Sequence, residues 1–238
     1  MNYVSKPNRP DPKDSGKPFD HREVARKLKT DYAHGSKDSS IRALDSVNSL
    51  IKYLIQNDPN LDEMLEQATK LIFTQFNIRE VSIGLRTAPD NLFRYVKMHG
   101  MRAEVWAAHK DLVYTYEQLL DPKKYKHTVI SQHTRLFLAE DNPYAEDETY
   151  TYSEHLMAMS RRRAADDSIE GDYLDVYIYG PGDDILGWIE TGSTWDNKIP
   201  DARTVRTLEI LASVLGIAIT KHKLATGRNY ELPGASKN

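Results

Sequence analysis

Tyr173-Leu-Asp-Val-Tyr-Ile-Tyr179, Gly180-Pro-Gly-Asp-Asp184 and Ile185-Leu-Gly-Trp-Ile-Glu-Thr191 follow one another without a break. The first and third segments alternate with a period of two, and the middle one has the composition of a turn. That spacing predicts a β-hairpin. Pro200 and Asp201 then open a stretch with apolar residues at Val205, Leu208, Leu211, Ala212, Leu215, Ala218 and Ile219. Steps of three and four mark one face of an amphipathic helix over Asp201–Ile219. Leu174, Val176 and Ile178, continued by Ile185, Gly187 and Ile189, form the hairpin face expected to pack on that helix. Tyr173, Asp175, Tyr177 and Tyr179 share the opposite face, with Trp188 and Glu190 as neighbours. A face of aromatics and carboxylates is either solvated or lines a polar pocket, and the aromatics favour the pocket because they offer stacking surfaces with polar tips.

Working outward, Arg79–Arg86 and Leu92–His99 alternate as strands around the turn Thr87-Ala-Pro-Asp-Asn91. Upstream, Ile41, Leu44, Val47, Leu50, Ile51, Leu54 and Ile55 make a helical stripe close to a heptad seam. Leu61–Phe76 is a second helix. Asp20-His-Arg-Glu23 has the form of a capping box, followed by Val24, Leu28 and Tyr32 at steps of four. Met101–Tyr116 and Tyr150–Ala165 read as helices, and residues 125–140 as strand. Pro7, Pro10, Pro12 and Pro18 break the first residues into a polar tail.

Asp172–Glu190 with its Gly turn, then Pro200, Leu208-Glu-Ile-Leu-Ala212 and Gly216-Ile-Ala-Ile219 resemble the C-terminal half of a GAF domain. The helix–strand–turn–strand series from Leu61 to His99 resembles its opening. Lys124–Ala139 resembles the third-strand segment of GAF domains in some microbial sensors, with Ile130-Ser131 and Arg135-Leu-Phe-Leu138 as the matching parts. The resemblance implies an α/β (α+β) fold: a largely antiparallel sheet of five or six strands with helices on both faces, over residues 58–222. Residues 1–38 are expected to be a mostly disordered tail with a short helix at about 20–33, residues 39–57 a dimerisation helix, and residues 223–238 a disordered tail. By the same resemblance, the region between the third strand and the hairpin is a lid over a pocket. The first and last helices build a parallel dimer through Ile41, Leu44, Ile51, Leu54, Ile210, Val214 and Ile217. The other reading is that both helices pack only on their own sheet.

Composition narrows the chemistry. The chain has no cysteine, which excludes disulfides, thiolate metal sites, thiol nucleophiles and the thiol-linked chromophore and free methionine sulfoxide reductase chemistries of GAF domains. The net charge of −3 favours neither nucleic acid nor an anionic membrane. Residues 1–45 hold ten Lys and Arg against seven Asp and Glu, a mildly basic arm on an acidic body. Nothing resembles a secretory signal or a transmembrane run, so a cytoplasmic protein is expected. The cyclic-nucleotide GAF motif is matched only by Asn197-Lys198 and Glu209. His127, His133 and His155 are spaced by six and twenty-two residues, unlike a helix-borne metal pair. Arg161-Arg-Arg163 suits an anion or a solvated helix end, and Arg86, Arg94 and Arg135 on strands need partners if buried.

The expectation is a non-enzymatic sensory module with no cofactor. It binds a small molecule through Arg86, Arg135, Tyr173, Asp175, Tyr177, Trp188 and Glu190, forms a homodimer and signals to a protein partner through residues 1–35. The alternatives are a ligand-free dimerisation scaffold, in which Trp188 and the tyrosines fill the pocket, and an enzyme using Asp175, Glu190 and a histidine.

Overall fold

The computed structural model describes residues 21–35, 39–55, 60–141, 148, 151–192 and 194–232. The expected tail over the first eighteen residues lies outside them. The chain divides after Asp38 into two units. In the first, helix α1 (His21–Gly35) is polar, with a Lys27–Asp31 ion pair one turn apart at 2.7 Å.

The second unit begins with α2 (Ser39–Ile55) and α3 (Leu61–Gln75). Asn60 caps α3, its Oδ1 accepting from the Asp62 and Glu63 amides at 3.0 and 3.4 Å. Then come β1 (Val81–Arg86), β2 (Phe93–His99), α4 (Ala103–Asp111), β3 (Val113–Tyr114), α5 (Tyr116–Leu119), β4 (Thr128–Val129), β5 (Thr134–Phe137), α6 (Glu154–Met159), β6 (Tyr173–Tyr179), β7 (Ile185–Thr191) and α7 (Ala202–Thr226). The strands form one antiparallel sheet in the order β3-β2-β1-β7-β6-β5-β4. The α+β class stands, with seven strands rather than five or six. The addition is β3, which pairs Val113 and Tyr114 with Arg94 and Phe93. The expected helix over Met101–Tyr116 stops at Asp111, because Leu112 turns extended and sends the β-branched Val113 into the sheet.

The predicted hairpin is β6–β7. Its turn is closed by the Gly180 amide donating to the Asp184 carbonyl at 2.7 Å, with Gly182 at φ 70°. That left-handed conformation is open to glycine at no steric cost. Leu174, Val176, Ile178 and Ile189 face α2, α3 and α7 in the main core, with Leu65, Ile72, Ile83, Leu208 and Leu215. Ile185 does not. The register slips between Ile178 and Tyr179, so Leu186 enters the main core and Ile185 joins the opposite face.

Two helices differ from expectation. The segment Tyr150–Ala165 is helical only over Glu154–Met159, since Ser160 is extended at φ −74° and ψ 143°. Arg161-Arg-Arg163 therefore lies beyond α6 rather than in its last turn. At the C-terminus α7 continues past Ile219 to Thr226, capped by Asp201 at its start and by left-handed Gly227 at its end. Beyond it the Ala88 amide donates to the Tyr230 carbonyl at 2.9 Å, and the buried Tyr230 hydroxyl donates to Asp62. The expected tail 223–238 is thus corrected as far as Leu232: its first residues extend the helix and an aromatic anchor ties the rest down. Residues 233–238 lie outside the described set. No helix among the described residues is long and apolar enough to cross a membrane.

Candidate ligand cavity

The aromatic and acidic hairpin face is covered. Cross-strand pairing sets Asp175 beside Glu190 and Tyr177 beside Trp188, and on β1 sets Ser82 beside Glu190 and Gly84 beside Trp188. These residues point away from the main core into a second cluster of Phe93, Tyr95, Leu112, Tyr114, Tyr177, Ile185 and Trp188. The indole fits because Gly84 has no side chain: a Cβ there would fall within the Trp188 ring. Tyr95 and Tyr114 meet that ring edge-on at 5.1 and 6.1 Å between centroids.

Next to this cluster lies a cavity of about 640 Å³. Glu190, Tyr95, His109, Tyr114 and Glu80 line its sheet side. Tyr152, Leu156, Met159 and Ile169, from the segment between β5 and β6, line the other. A small inner recess of about 30 Å³ shares Tyr95, Tyr114, Tyr125, Tyr173 and Glu190 with the cavity and is closed by Asp175 and Trp188. A further hollow of about 760 Å³ opens beside the start of α7. Its Lys198 is paired with Asp166 and Asp167, and its Arg162 with Glu140 and Asp172, which leaves that hollow with less unspent chemistry.

The cavity floor is electrostatically unusual. The Tyr95 hydroxyl donates to Glu190 Oε2 at 2.7 Å. His109 lies edge-on to Tyr95, with Nδ1 2.8 Å from the Val105 carbonyl and Nε2 3.8 Å from Glu190 Oε1. A carbonyl only accepts, so Nδ1 carries a proton and Nε2 faces the carboxylate. Burial lowers the His109 pKa, but the neighbouring Glu190 outweighs it and the net shift is upward. Asp175 is 5% exposed, and its Oδ1 has no hydrogen-bond partner among the described residues; neither has Ser82 Oγ on the far side of Glu190. Burial, reinforced by the charge on Glu190, pushes the Asp175 carboxyl well above the ordinary carboxylate value. Burial also raises Glu80, with repulsion from Glu170 adding to it.

A buried ion pair ties down the segment over the cavity. Arg162 donates to both oxygens of Asp172 at 3.0 Å, to Glu140 at 3.2 and 2.9 Å, and to the Asp167 carbonyl. Asp172 also accepts the amides of Ala139 and Ile169 at 3.0 and 2.9 Å.

The expected binding residues separate. Tyr173 and Glu190 line the cavity, and Asp175 and Trp188 line the recess. Tyr177 is buried under the ring cluster. Arg86 is not at the cavity: it pairs with Asp184 at 2.7 Å, donates to the Ile185 carbonyl and stacks over Phe93 and Tyr116. Arg135 donates to the Ser131 carbonyl at 2.7 Å and lies over Tyr177. Both arginines stand on strands, as expected, but spend their donors on the turn and strand ends beside them. His109, Tyr95, Tyr114 and Glu80 were not anticipated. Their only signal was a helix and two strands reaching one place, which spacing along the chain does not reveal. His127 and His133 each turn Nδ1 toward a backbone carbonyl, His155 is exposed, and among the described residues no group of three His, Cys, Asp or Glu could hold a metal.

Of the residues expected to join two copies, Leu54 and Val214 are buried in the chain's own core. Ile41, Leu44, Ile210 and Ile217 are exposed, the last at 60%.

No protein-family model matches the chain, and no curated protein matches it in sequence. Solved structures match it in fold. The GAF domain of a phosphoenolpyruvate-protein phosphotransferase (ptsP) from Coxiella burnetii is 12% identical, with a TM-score of 0.51 over 80% of this chain and 99% of that one. The A. Aeolicus nlh2 GAF domain, in an inactive state, is 13% identical, with a TM-score of 0.50 over 78% and 99%. The fold of this chain is the GAF fold.

Proposed function

We propose that this chain is a sensory or regulatory module that binds a small molecule in the cavity beside Glu190 and reports it through α2 and α7. The carrying observation is a cavity of about 640 Å³ lined by Glu190, which also lines an adjoining recess that ends on the buried Asp175, whose Oδ1 has no partner among the described residues. The fold does not need Asp175 for stability, since burying a carboxyl oxygen without a partner is unfavourable. The fold is shared with GAF domains of a phosphotransferase and of nlh2 in an inactive state, which favours a regulatory role over a catalytic one.

Hydrogen bonds between the sheet and α7 support a route for the report. Asp175 on β6 pairs with Arg135 on β5. On that strand, Thr134 Oγ1 donates to Glu209 of α7 at 2.7 Å, and Ser131 Oγ, just before it, donates to the same oxygen. Glu209 precedes the exposed Ile210. Ile210, Ile217 and Leu224 recur every seven residues on the exposed face of α7. With Ile41 and Leu44 of α2 they offer an apolar surface to a second copy. Closure over a ligand shifts the sheet edge and so the seat of α7, and the dimer carries that change to a protein partner, with α1 and the residues before it as the contact. The mechanism requires the ligand to favour one packing of the helices over the other.

The scaffold reading draws on Trp188 and Tyr177, which fill much of the outer face. Native mass spectrometry of protein purified without added ligand separates the two. A dimer carrying a small-molecule mass supports the sensor, a bare dimer supports the scaffold, and a bare monomer removes the helix-borne report.

A further inference from the structure

The cavity's chemistry narrows what it takes, resting on the reading that it binds a small molecule. Three features converge. The floor is anionic: Glu190 is 12% exposed in its side chain and receives one hydrogen bond, from Tyr95, while Glu80 lies on the same wall. The recess beneath ends on Asp175, which is nine-tenths buried with Oδ1 unpartnered among the described residues, and the recess is ringed by Tyr95, Tyr114, Tyr125, Tyr173 and Trp188. Cationic side chains line the wider cavity, at Arg79, Arg161 and Arg163, but none lines the recess. Arg161 donates to the Ala158 and Ser160 carbonyls, Arg79 donates to Asn197, and Arg163 is exposed. His109 is the basic group beside Glu190, and it faces that carboxylate at 3.8 Å, too long for a hydrogen bond.

An anionic ligand in the recess would meet Glu190 and Asp175, and among the described residues no Lys, Arg or His lines the recess to receive it. A metal ion lacks a donor set of three. A neutral ligand leaves the Asp175 oxygen unsatisfied unless it donates. An ammonium group answers each demand: its N–H donors suit Glu190 and Asp175, and its charge suits the faces of the surrounding tyrosines. The recess of about 30 Å³ has room for such a head, while Leu156, Met159 and Tyr152 lining the cavity suit an apolar body. We infer that the cavity is a site for a small primary ammonium compound with an apolar or aromatic body, its ammonium seated between Glu190 and Asp175.

Protonation adds a second reading of the same geometry. Glu190 from β7, Tyr177 on β6 and Tyr95 from β2 face Asp175, with Arg135 the neighbour on β5. Burial and then the Glu190 charge keep the Asp175 carboxyl protonated beyond the usual carboxylate range. An entering ammonium takes the place of that proton, so binding releases it and tightens as pH rises.

The test is titration calorimetry at neutral pH with three probes on the full chain: 2-phenylethylammonium, 3-phenylpropan-1-ol and 3-phenylpropanoate. The expected order puts the ammonium first, with proton release detectable as a buffer-dependent heat. Glu190→Gln and Asp175→Asn, which keep shape, should each weaken it at least about tenfold, as removing one member of a buried charge pair does. If Glu190→Gln loses its cooperative melting transition, Asp175→Asn alone decides. Carboxylate or alcohol binding as well as the ammonium overturns the cation assignment while leaving the cavity a ligand site. Ammonium binding indifferent to both substitutions overturns the seat. No binding by any probe at millimolar concentration, with bare protein in native mass spectrometry, overturns both the assignment and the sensor reading.

Discussion

Asp175 is the residue at which folding and binding pull in opposite directions. Burial and the Glu190 charge raise its carboxyl pKa in the folded chain well above the ordinary 3.8, so folding takes up a proton over that interval. Stability from this group is therefore full below 3.8 and falls as pH rises toward the raised folded value. Asp175→Asn removes that penalty. It should be more stable than the parent to urea at neutral pH, with the advantage shrinking as pH approaches 4; an advantage constant with pH would contradict the assignment. His109 acts in the same sense. Its raised pKa contributes stability that is full below 6.5 and is lost as pH rises through the folded value, so His109→Gln should flatten that part of the profile. Gly84 is the other decisive residue. Gly84→Ala forces the Trp188 indole out of its seat, with an overpacking penalty of about 1–3 kcal/mol. Urea unfolding measures the penalty, and Trp188 emission should shift to the red.

At the level of elements, the segment from Ser153 to Asp172 is a cover held by polar ties rather than a packed layer, with Lys198 on Asp166 and Asp167 and the Ser168 amide on the Asn197 carbonyl. Its helix α6 has no buried residue, and Leu156 and Met159 are exposed. The most buried of these ties is Arg162, on Asp172 and Glu140, with Asp172 almost wholly buried. Removing one member of such a pair leaves the other uncompensated, at about 3–5 kcal/mol. Arg162→Ala should therefore speed amide hydrogen exchange across residues 153–172 while leaving α3 and β1 protected. Uniformly faster exchange would show that this tie belongs to the global fold instead. Short elements such as α6 and β3 owe their form to neighbours, since so few residues cannot nucleate structure alone.

For the whole molecule, the question is whether α2 and α7 meet a second copy. An exposed apolar row at heptad spacing on α7 is out of place on a chain that stays alone. Ile217→Glu should convert a dimer to a monomer by light scattering without lowering the melting temperature, because Ile217 touches little of its own core. Linkage extends the prediction. If the ligand biases helix packing, 2-phenylethylammonium should bind wild type and the Ile217→Glu monomer with different affinities, and dimerisation should change by the same factor when it is present. Identical affinities would leave the dimer without a signalling role.

The sequence by itself determined the layers. Period-two and period-3.6 patterns depend only on neighbouring residues, so the hairpin, the two opening strands, α2, α3 and most of α7 were legible, as was the pairing of Asp175 and Glu190 on one face. The tertiary structure decided what that face is. His109 from a helix, Tyr95 from β2 and Tyr114 from β3 reach Glu190 through contacts distant in sequence. The slip that moved Ile185 is a local bulge with no signature in alternation. Arg86 and Arg135 were drawn away from the cavity by Asp184 and by backbone carbonyls, partners identifiable only once the chain had folded. Leu54 and Val214 passed from expected interface to core for the same reason: an apolar stripe wider than one contact serves two neighbours, and only packing divides it.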